Sequence, residues 1–455
     1  MKIYLEGHSF VNEVQTVSQI FYPNQPCTVL SGIDTDGVVL VSKMDGMCCI
    51  ASYYENGRLA FCHQEPIFFS NKDAAKISMY RLLEKVTGYS SPWGFLTGIR
   101  PSKIVHGLWD KGHTDTSVLG ILTSYYLVTE EKAALSMEVA KAEKKIISGT
   151  GHTFSLYIGI PFCPTRCLYC SFTSYPIHEY AHKVEKYLEV VQKELEYCKN
   201  PQTVYIGGGT PTALSAKQLE KLLQATPTPQ IELTVEAGRP DTITREKLAV
   251  MKRYGVTRIS INPQTLHDKT LALVGRNHSV AQFFESFALA REMGFNNINV
   301  DLILGLPGET AEDVQNTLQK LSPLSPENIT VHIMSVKRGS RLKEQLGEYP
   351  LTSGHEVESM LAKVKSFMAQ NNMKPYSMYR QKNMLGNFEN VGYTKEGYTC
   401  LFNVQTMCEK QTILAVGAGG VTKKVDLATD RIERVFNVKN VDIYLERSSK
   451  GSDLT

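Results

Sequence analysis

Several absences narrow what this 455-residue sequence can do before any motif is read. No stretch reaches the roughly 18 apolar residues of a membrane-spanning helix. The N-terminus, Met1-Lys-Ile-Tyr-Leu-Glu-Gly-His8, has an early acid and no sustained apolar core, so it reads as neither signal peptide nor membrane anchor. No Lys/Arg block stands out and the formal net charge is only +3, which argues against nucleic acid or a membrane surface as partner. Ten cysteines without a secretion signal fit a reducing compartment, and a cytoplasmic protein is expected. The composition, 42% hydrophobic and 21% charged, is that of an ordinary globular chain with room for two or three domains.

A further absence sits inside the most informative stretch. Tyr157-Ile-Gly-Ile-Pro-Phe-Cys163-Pro-Thr-Arg-Cys167-Leu-Tyr-Cys170-Ser-Phe172 carries three cysteines and no fourth ligand nearby. Structural zinc wants four closed ligands, yet no second Cys or His pair at finger spacing follows, and His178 and His182 fall on a predicted helix. Disulfides suit neither an odd set nor the expected compartment. Three closely spaced thiolates on a loop leaving an apolar strand can converge on one iron–sulfur cube, with one iron left open. The plain alternative is a set of inert buried thiols, which is how Cys27, Cys48, Cys49 and Cys62 read.

Residues 1–71 read as β-rich, with turn signals at Asp36-Gly37, Asp45-Gly46 and Asn56-Gly57 and one helix over Asn12–Phe21. Helical patterns follow near 72–86, 101–111 and 130–147. The loop Ser91-Pro-Trp-Gly-Phe-Leu-Thr-Gly-Ile-Arg100-Pro between the first two reads equally as a packed connection or a binding loop. From Thr153 strands and helices alternate. Strands are predicted at 153–160, 203–206, 231–236, 257–261, 298–304 and 329–334, with helices near 177–197, 216–225, 245–254, 280–293 and 311–321. That alternation is α/β, a parallel sheet that is open or curled into a partial barrel.

In such barrels chemistry collects at the carboxyl ends of the strands. There the sequence places Gly207-Gly208-Gly209-Thr210, where bare backbone can approach a ligand. Glu236 ends the third strand, Ser260-Ile-Asn262-Pro-Gln264 and Gly275-Arg276 follow the fourth, and Asp301-Leu-Ile-Leu-Gly305-Leu-Pro-Gly308 closes the series. Each alone suits a structural role as well as a functional one; their repetition at matching strand ends favours a site.

Taken together these residues resemble the radical S-adenosylmethionine (radical SAM) superfamily, and within it the oxygen-independent coproporphyrinogen dehydrogenase group. Three stretches, Leu96–Lys103, Tyr379–Tyr393 and Gln411–Gly420, further resemble its HemZ subgroup. The resemblance implies a partial (β/α)6 barrel over 151–340, an N-terminal β-then-helix domain over 1–150 and a C-terminal α+β cap over 341–455. It implies that Cys163, Cys167 and Cys170 hold three irons of a [4Fe-4S] cluster while S-adenosylmethionine takes the fourth. Tyr157 would pack near cluster and sulfonium, and the backbone around Tyr169 would meet the adenine. Gly208, Gly209 and Thr210 would line the methionine amino end, and Glu236, Gln264, Arg276 and Asp301 would hold methionine and ribose groups. The implied reaction is oxidative decarboxylation of a tetrapyrrole, coproporphyrinogen III, in haem synthesis, with a small electron donor such as flavodoxin or ferredoxin.

Two positions depart from that pattern. Phe172 stands where the better-known dehydrogenases have a fourth cysteine, as it does in related haem-trafficking proteins. Phe402, in Cys400-Leu-Phe402-Asn403, stands where those trafficking proteins have a histidine. Enzyme and haem-handling readings therefore both stay open, as does a radical reaction on another tetrapyrrole. Arg338, Arg341, Arg380 and Lys382 could clamp an anionic tetrapyrrole or be solvated surface charges.

Overall fold

A computed structural model describes residues 1–23, 25–30, 36–68, 70–97, 100–148, 153–337, 339–345, 347–381, 384–429 and 431–449. Arg338 and Lys382 lie outside the described residues. The chain divides into two compact units, one formed by residues 1–99, 104–137 and 380–383, the other by 100–103, 138–379 and 384–455.

In the first unit a five-stranded sheet is ordered Thr28–Val29, Lys2–Glu6, Val38–Asp45, Cys48–Glu55, Arg58–Pro66. Asn56-Gly57 closes a two-residue hairpin, both residues at positive φ (49° and 79°), the conformation this pair adopts most readily. Asp36-Gly37 instead precedes a strand that pairs in parallel with Lys2–Glu6. Helices Val11–Phe21 and Asn71–Thr87 supply Val14, Val17, Met79, Tyr80 and Leu83 to a core shared with Ile3, Leu40 and Ala51 of the sheet. Of the four cysteines expected to be buried and inert, only Cys49 is fully buried. Cys27 and Cys48 are half-buried, and Cys62 is exposed on the edge strand Arg58–Pro66, where one face meets solvent. The Ser91–Phe95 loop is a packed connection, with Trp93 fully buried. Arg380 stacks its guanidinium 4.9 Å from the Trp93 ring and donates to the Leu96 carbonyl at 2.6 Å. It is a buried tie in this unit and not a solvated cation.

The second unit is built on an eleven-stranded sheet. Six parallel strands form its middle: Phe154–Ile160, Thr203–Gly208, Glu232–Gly238, Arg258–Ile261, Ile298–Leu304 and Asn328–Ile333, here the first to sixth barrel strands. Helices Ile177–Leu195, Ala216–Ala225, Arg245–Arg253, Val280–Glu292 and Ala311–Leu321 separate them. Three of these helices start at Ser215, Ser279 and Thr310 with reciprocal capping boxes, which fix where each connection ends.

Side chains alternate strictly along these strands. Leu156, Ile158 and Ile160, Val204 and Ile206, Leu233 and Val235, Ile259 and Ile261, Val300 and Leu302, and Val331 and Ile333 enter one apolar core with the helices. The opposite face carries Tyr157, Tyr205, Thr234, Glu236, Ser260, Asn262, Asn299, Asp301, Thr330 and His332. A sheet whose concave side is this polar has a lumen to fill. The C-terminal residues extend both edges of the same sheet: Asn390–Thr394 and Lys374–Tyr379 run antiparallel beyond the sixth strand, while Thr412–Val416 lies parallel to the first and carries Val421–Asp426 and Arg431–Phe436 beyond it.

Candidate functional site

The cysteine loop leaves the first barrel strand and is tied down at many points. Tyr175 N–H donates to the Pro161 carbonyl at 2.8 Å, and Phe162–Cys163 forms a short parallel bridge with Tyr175–Pro176. Leu168 N–H reaches the Val274 carbonyl and Leu342 N–H reaches the Leu168 carbonyl, both at 2.9 Å. The Thr165 hydroxyl donates to the Gly275 carbonyl at 3.1 Å and accepts from Arg239 at 2.8 Å; Arg239 in turn forms a two-pronged pair with Asp241. Thiols held on such a frame have little freedom left to lose on binding.

Cys167 is buried and Cys163 and Cys170 are half-buried. Burial pushes the Cys163 thiol up to about 11, against the Thr210 hydroxyl 3.4 Å from its sulfur, and burial likewise raises Cys170. Ligation would therefore release protons. Among the described residues these three sulfurs do not all close to within 4.8 Å of one another. A single tetrahedral ion needs sulfurs roughly 3.8 Å apart, closer than all three stand.

Beside this loop, glycines leave room that side chains would fill. A Cβ on Gly209 would sit 2.6 Å from the Phe162 carbonyl oxygen, and one on Gly208, at φ +107°, would sit 3.1 Å from the Tyr157 hydroxyl. Gly209 N–H and Thr210 N–H donate to the Ile160 and Phe162 carbonyls at 2.7 and 2.8 Å, locking the triplet against the root of the cysteine loop. Glycine is required here by close backbone approach.

The expected polar residues converge on the lumen at the same strand ends. Glu236 accepts from the Tyr205 hydroxyl at 2.5 Å. Burial raises its carboxyl to about 7, with Asp301 adding to the rise and Tyr205, the Gly208 backbone and His332 opposing it. Asp301 accepts from the Asn299 amide at 2.7 Å and lies 3.8 Å from His332. Gln264 holds φ +69°, a strained backbone for this residue type, and its Oε1 is buried without a hydrogen-bond partner. Arg276, buried, donates to the Asn262 carbonyl at 2.5 Å and reaches Tyr169 Oη at 3.4 Å and Cys167 Sγ at 3.9 Å, leaving Nε without a partner. The guanidinium thus braces the cysteine loop instead of standing open as a two-pronged clamp. Two orphaned buried polar atoms, one acceptor and one donor, fit a bound ligand with both kinds of group.

Tyr157 stacks with Tyr205 and Phe402 at centroid separations of 6.4 and 6.2 Å, and Tyr205 stacks on Phe402 at 4.6 Å. Phe172 is 66% exposed beneath the Lys337 ammonium, 5.7 Å from its ring. The sequence reading named the stretch that holds Asn262 but missed Tyr205, Arg239 and His332. All of these lie on barrel strands or just beyond, and a polar residue in alternate register with apolar neighbours, as in Thr330-Val-His332-Ile, was the available signal.

Residues 157–321 match the Radical SAM superfamily. The chain is 37% identical over 407 residues to the oxygen-independent coproporphyrinogen-III oxidase-like protein HemZ of Bacillus subtilis, across 86% of this chain and 81% of that protein. It is 39% identical over 195 residues to the heme chaperone HemW of the same organism, across 40% of this chain and 51% of that protein. Among solved structures, coproporphyrinogen III oxidase (HemN) of Escherichia coli, a radical SAM enzyme, shares the fold, with a TM-score of 0.55, 21% identity and coverage of 69% of this chain and 72% of that one. The chain belongs to the HemN/HemZ family of the radical SAM superfamily, whose cofactors are a [4Fe-4S] cluster and S-adenosylmethionine.

Proposed function

We propose that this protein catalyses the oxygen-independent oxidative decarboxylation of coproporphyrinogen III to protoporphyrinogen IX. The observation that carries the reading is the meeting of the three-cysteine frame, the glycine cradle and a polar lumen layer at one end of one barrel, in a chain similar to HemZ over most of its length. Cys163, Cys167 and Cys170 would hold the cluster. Gly208, Gly209 and Thr210 would line the methionine amino end, Tyr157 would pack near the sulfonium, and the Tyr169 backbone would meet the adenine. Gln264 Oε1, Arg276 Nε, Glu236 and Asp301 supply the remaining polar contacts. When bound, the two cofactors supply a carbon-centred radical able to take hydrogen from an unactivated carbon, which side-chain acids and bases cannot do.

The residues around them position and shield. The Tyr157–Tyr205–Phe402 stack forms an apolar wall, and Tyr205 keeps the Glu236 carboxyl oriented. Each propionate converted to vinyl gives up one hydrogen atom and carbon dioxide, and one electron passes to an acceptor; a small flavodoxin- or ferredoxin-like protein would reduce the cluster. A haem-delivery role is disfavoured by Phe402, which fills the wall with a ring that cannot ligate iron.

The test is anaerobic: reconstitute the cluster, add reductant, S-adenosylmethionine and coproporphyrinogen III, then follow deoxyadenosine and porphyrin mass. Deoxyadenosine with loss of two carboxyl groups supports the reading. Deoxyadenosine with an unchanged porphyrin refutes the reaction, and tight stoichiometric haem binding without turnover would put a delivery protein in its place.

A further inference from the structure

The cysteine loop is a frame for the cluster and also a piece of surface. Arg166, between the first two cysteines, is exposed and donates to the Gly339 carbonyl at 2.5 Å. Phe172, two residues after the third, is 66% exposed, with the Lys337 ammonium 5.7 Å from its ring. A Cβ on Gly339 would stand 3.9 Å from the Ser171 carbonyl oxygen. Lys337 and Gly339, just past the sixth barrel strand, therefore meet the loop on both sides of Cys167–Cys170. Cys170 between these contacts is itself half-buried, so a cluster ligand lies at this patch.

Charge here is one-sided. The stretches that hydrogen-bond to one another around the loop, 163–172, 273–277 and 335–344, contain Arg166, Arg276, Lys337, Arg338, Arg341 and Lys343 against one acid, Glu344. Arg276 is buried and committed beneath the loop, whereas Arg166, Arg341 and Lys343 are exposed. Among the described residues none of Arg166, Lys337, Arg341 and Lys343 forms an ion pair with a carboxylate. Cations needed only to offset the thiolates would be buried as Arg276 is. An exposed ring amid unpaired, outward cations is instead the makeup of a contact with another macromolecule, apolar at its centre and charged at its rim. We infer that this surface docks the protein that reduces the cluster, and that this partner is a small acidic flavoprotein of the flavodoxin type. The inference rests on the small-donor part of the reading above and not on the tetrapyrrole. Electron tunnelling falls off steeply with distance, so the donor has to sit over a cluster ligand, and Cys170 is one. Carboxylates around the partner's flavin would meet Arg166, Lys337 and Arg341, and the apolar edge of the flavin would meet Phe172. One electron leaves the partner's reduced flavin and enters the cluster, with no bond made or broken.

The test uses the anaerobically reconstituted full-length protein and purified flavodoxin, with no porphyrin present. Calorimetry should show flavodoxin bound to wild type, at least about tenfold more weakly when salt rises from about 50 to about 500 mM. Lys337→Glu and Arg341→Glu should each weaken binding about tenfold, and should slow cluster reduction by sub-saturating reduced flavodoxin by a similar factor, read from the paramagnetic signal of the reduced cluster. Phe172→Ser should weaken binding about fivefold at either salt, since its contribution is apolar. Reduction by dithionite, a small ion that needs no docking surface, should match wild type in every variant, with iron content unchanged. Variants that lose iron, that slow dithionite and flavodoxin alike, or that bind flavodoxin as wild type does overturn the inference, as does a wild type that binds none. Because no tetrapyrrole enters the assay, a failed decarboxylation leaves this result standing, and failure here leaves the decarboxylation reading to its own test.

Discussion

Placed against S-adenosylmethionine as proposed, the Glu236 carboxyl, raised to about 7 mainly by burial, should make affinity for that cofactor pH-dependent in the range where the protein would work. The cofactor carries positive charge on its ammonium and sulfonium groups, so the ionised carboxylate is the binding form. With a pKa of about 7, roughly a tenth of Glu236 is ionised at pH 6 and about nine-tenths at pH 8, so affinity should rise about tenfold between them. Tyr205→Phe removes the 2.5 Å hydrogen bond that favours ionisation. A hydrogen bond to a charged group is worth about 1.5–3 kcal/mol, which is about one to two pH units of further rise, so affinity at pH 7 should fall about five- to fiftyfold. The midpoint should move alkaline while the high-pH plateau stays. Isothermal titration of the anaerobically reconstituted protein from pH 6 to pH 9 measures this directly. Glu236→Gln should flatten the profile. A wild-type profile that is already flat, or a Tyr205→Phe curve that overlays wild type, refutes the placement of this carboxylate against the cationic cofactor.

Replacing Cys163, Cys167 or Cys170 singly by Ala should bring reconstituted iron from about four per chain to near zero, with far-ultraviolet dichroism unchanged. Phe172→Cys should leave iron content as in wild type, because the exposed ring packs little and the frame is already complete. Glu409→Gln should lower stability by about 3 kcal/mol in denaturant, the lower end for breaking a buried pair, since Arg434 is partly solvated. Burial works against that carboxylate, but Arg100, Lys423 and Lys103 hold it well below its ordinary range. Its stabilisation is therefore full above about pH 4.5 and is lost as pH falls. Gly417→Ala should cost about 1–3 kcal/mol, because φ is +88° and the new Cβ would lie 2.5 Å from the Gly159 oxygen.

The parallel core was legible because buried parallel strands and amphipathic helices leave unlike periodicities. The helices 216–225 and 311–321 lie where the pattern puts them, between Ser215 and Thr310 caps and the next polar turn. The path of the chain beyond Arg341 was not legible. Thr412–Val416 joins the first barrel strand across more than 250 residues, through Gln411, which bonds Ser155, Thr153 and Gln202. No local pattern encodes such a pairing, and a Gly-rich run reads only as a turn. Arg380 was not legible for a related reason: a cation after the barrel reads as a substrate clamp or a solvated charge until Trp93, nearly 300 residues earlier, is seen beneath it. Within the site, Tyr157 and Asp301 were found, while Tyr205 and His332 on the same face were missed, since the rule applied, chemistry at carboxyl ends, ignores which face a residue takes.

The two phenylalanines that depart from the related pattern are physically different cases. Phe172 touches solvent and a lysine, so the chain bears no structural cost for lacking a cysteine there, and the position alone says little about chemistry. Phe402 is buried and stacks on Tyr205, whose hydroxyl donates to the Glu236 carboxylate. A histidine at that point would bring a polar ring into the stack and a competing partner within reach of Tyr205 or Glu236. The wall and the Glu236 pKa are thus coupled: making Phe402 a histidine should perturb the cofactor site as much as add an iron ligand. Haem binding gained in Phe402→His together with an unshifted Glu236-linked pH profile would show the two to be independent. A shifted profile would mean that the aromatic wall and the Glu236 carboxyl act as one unit.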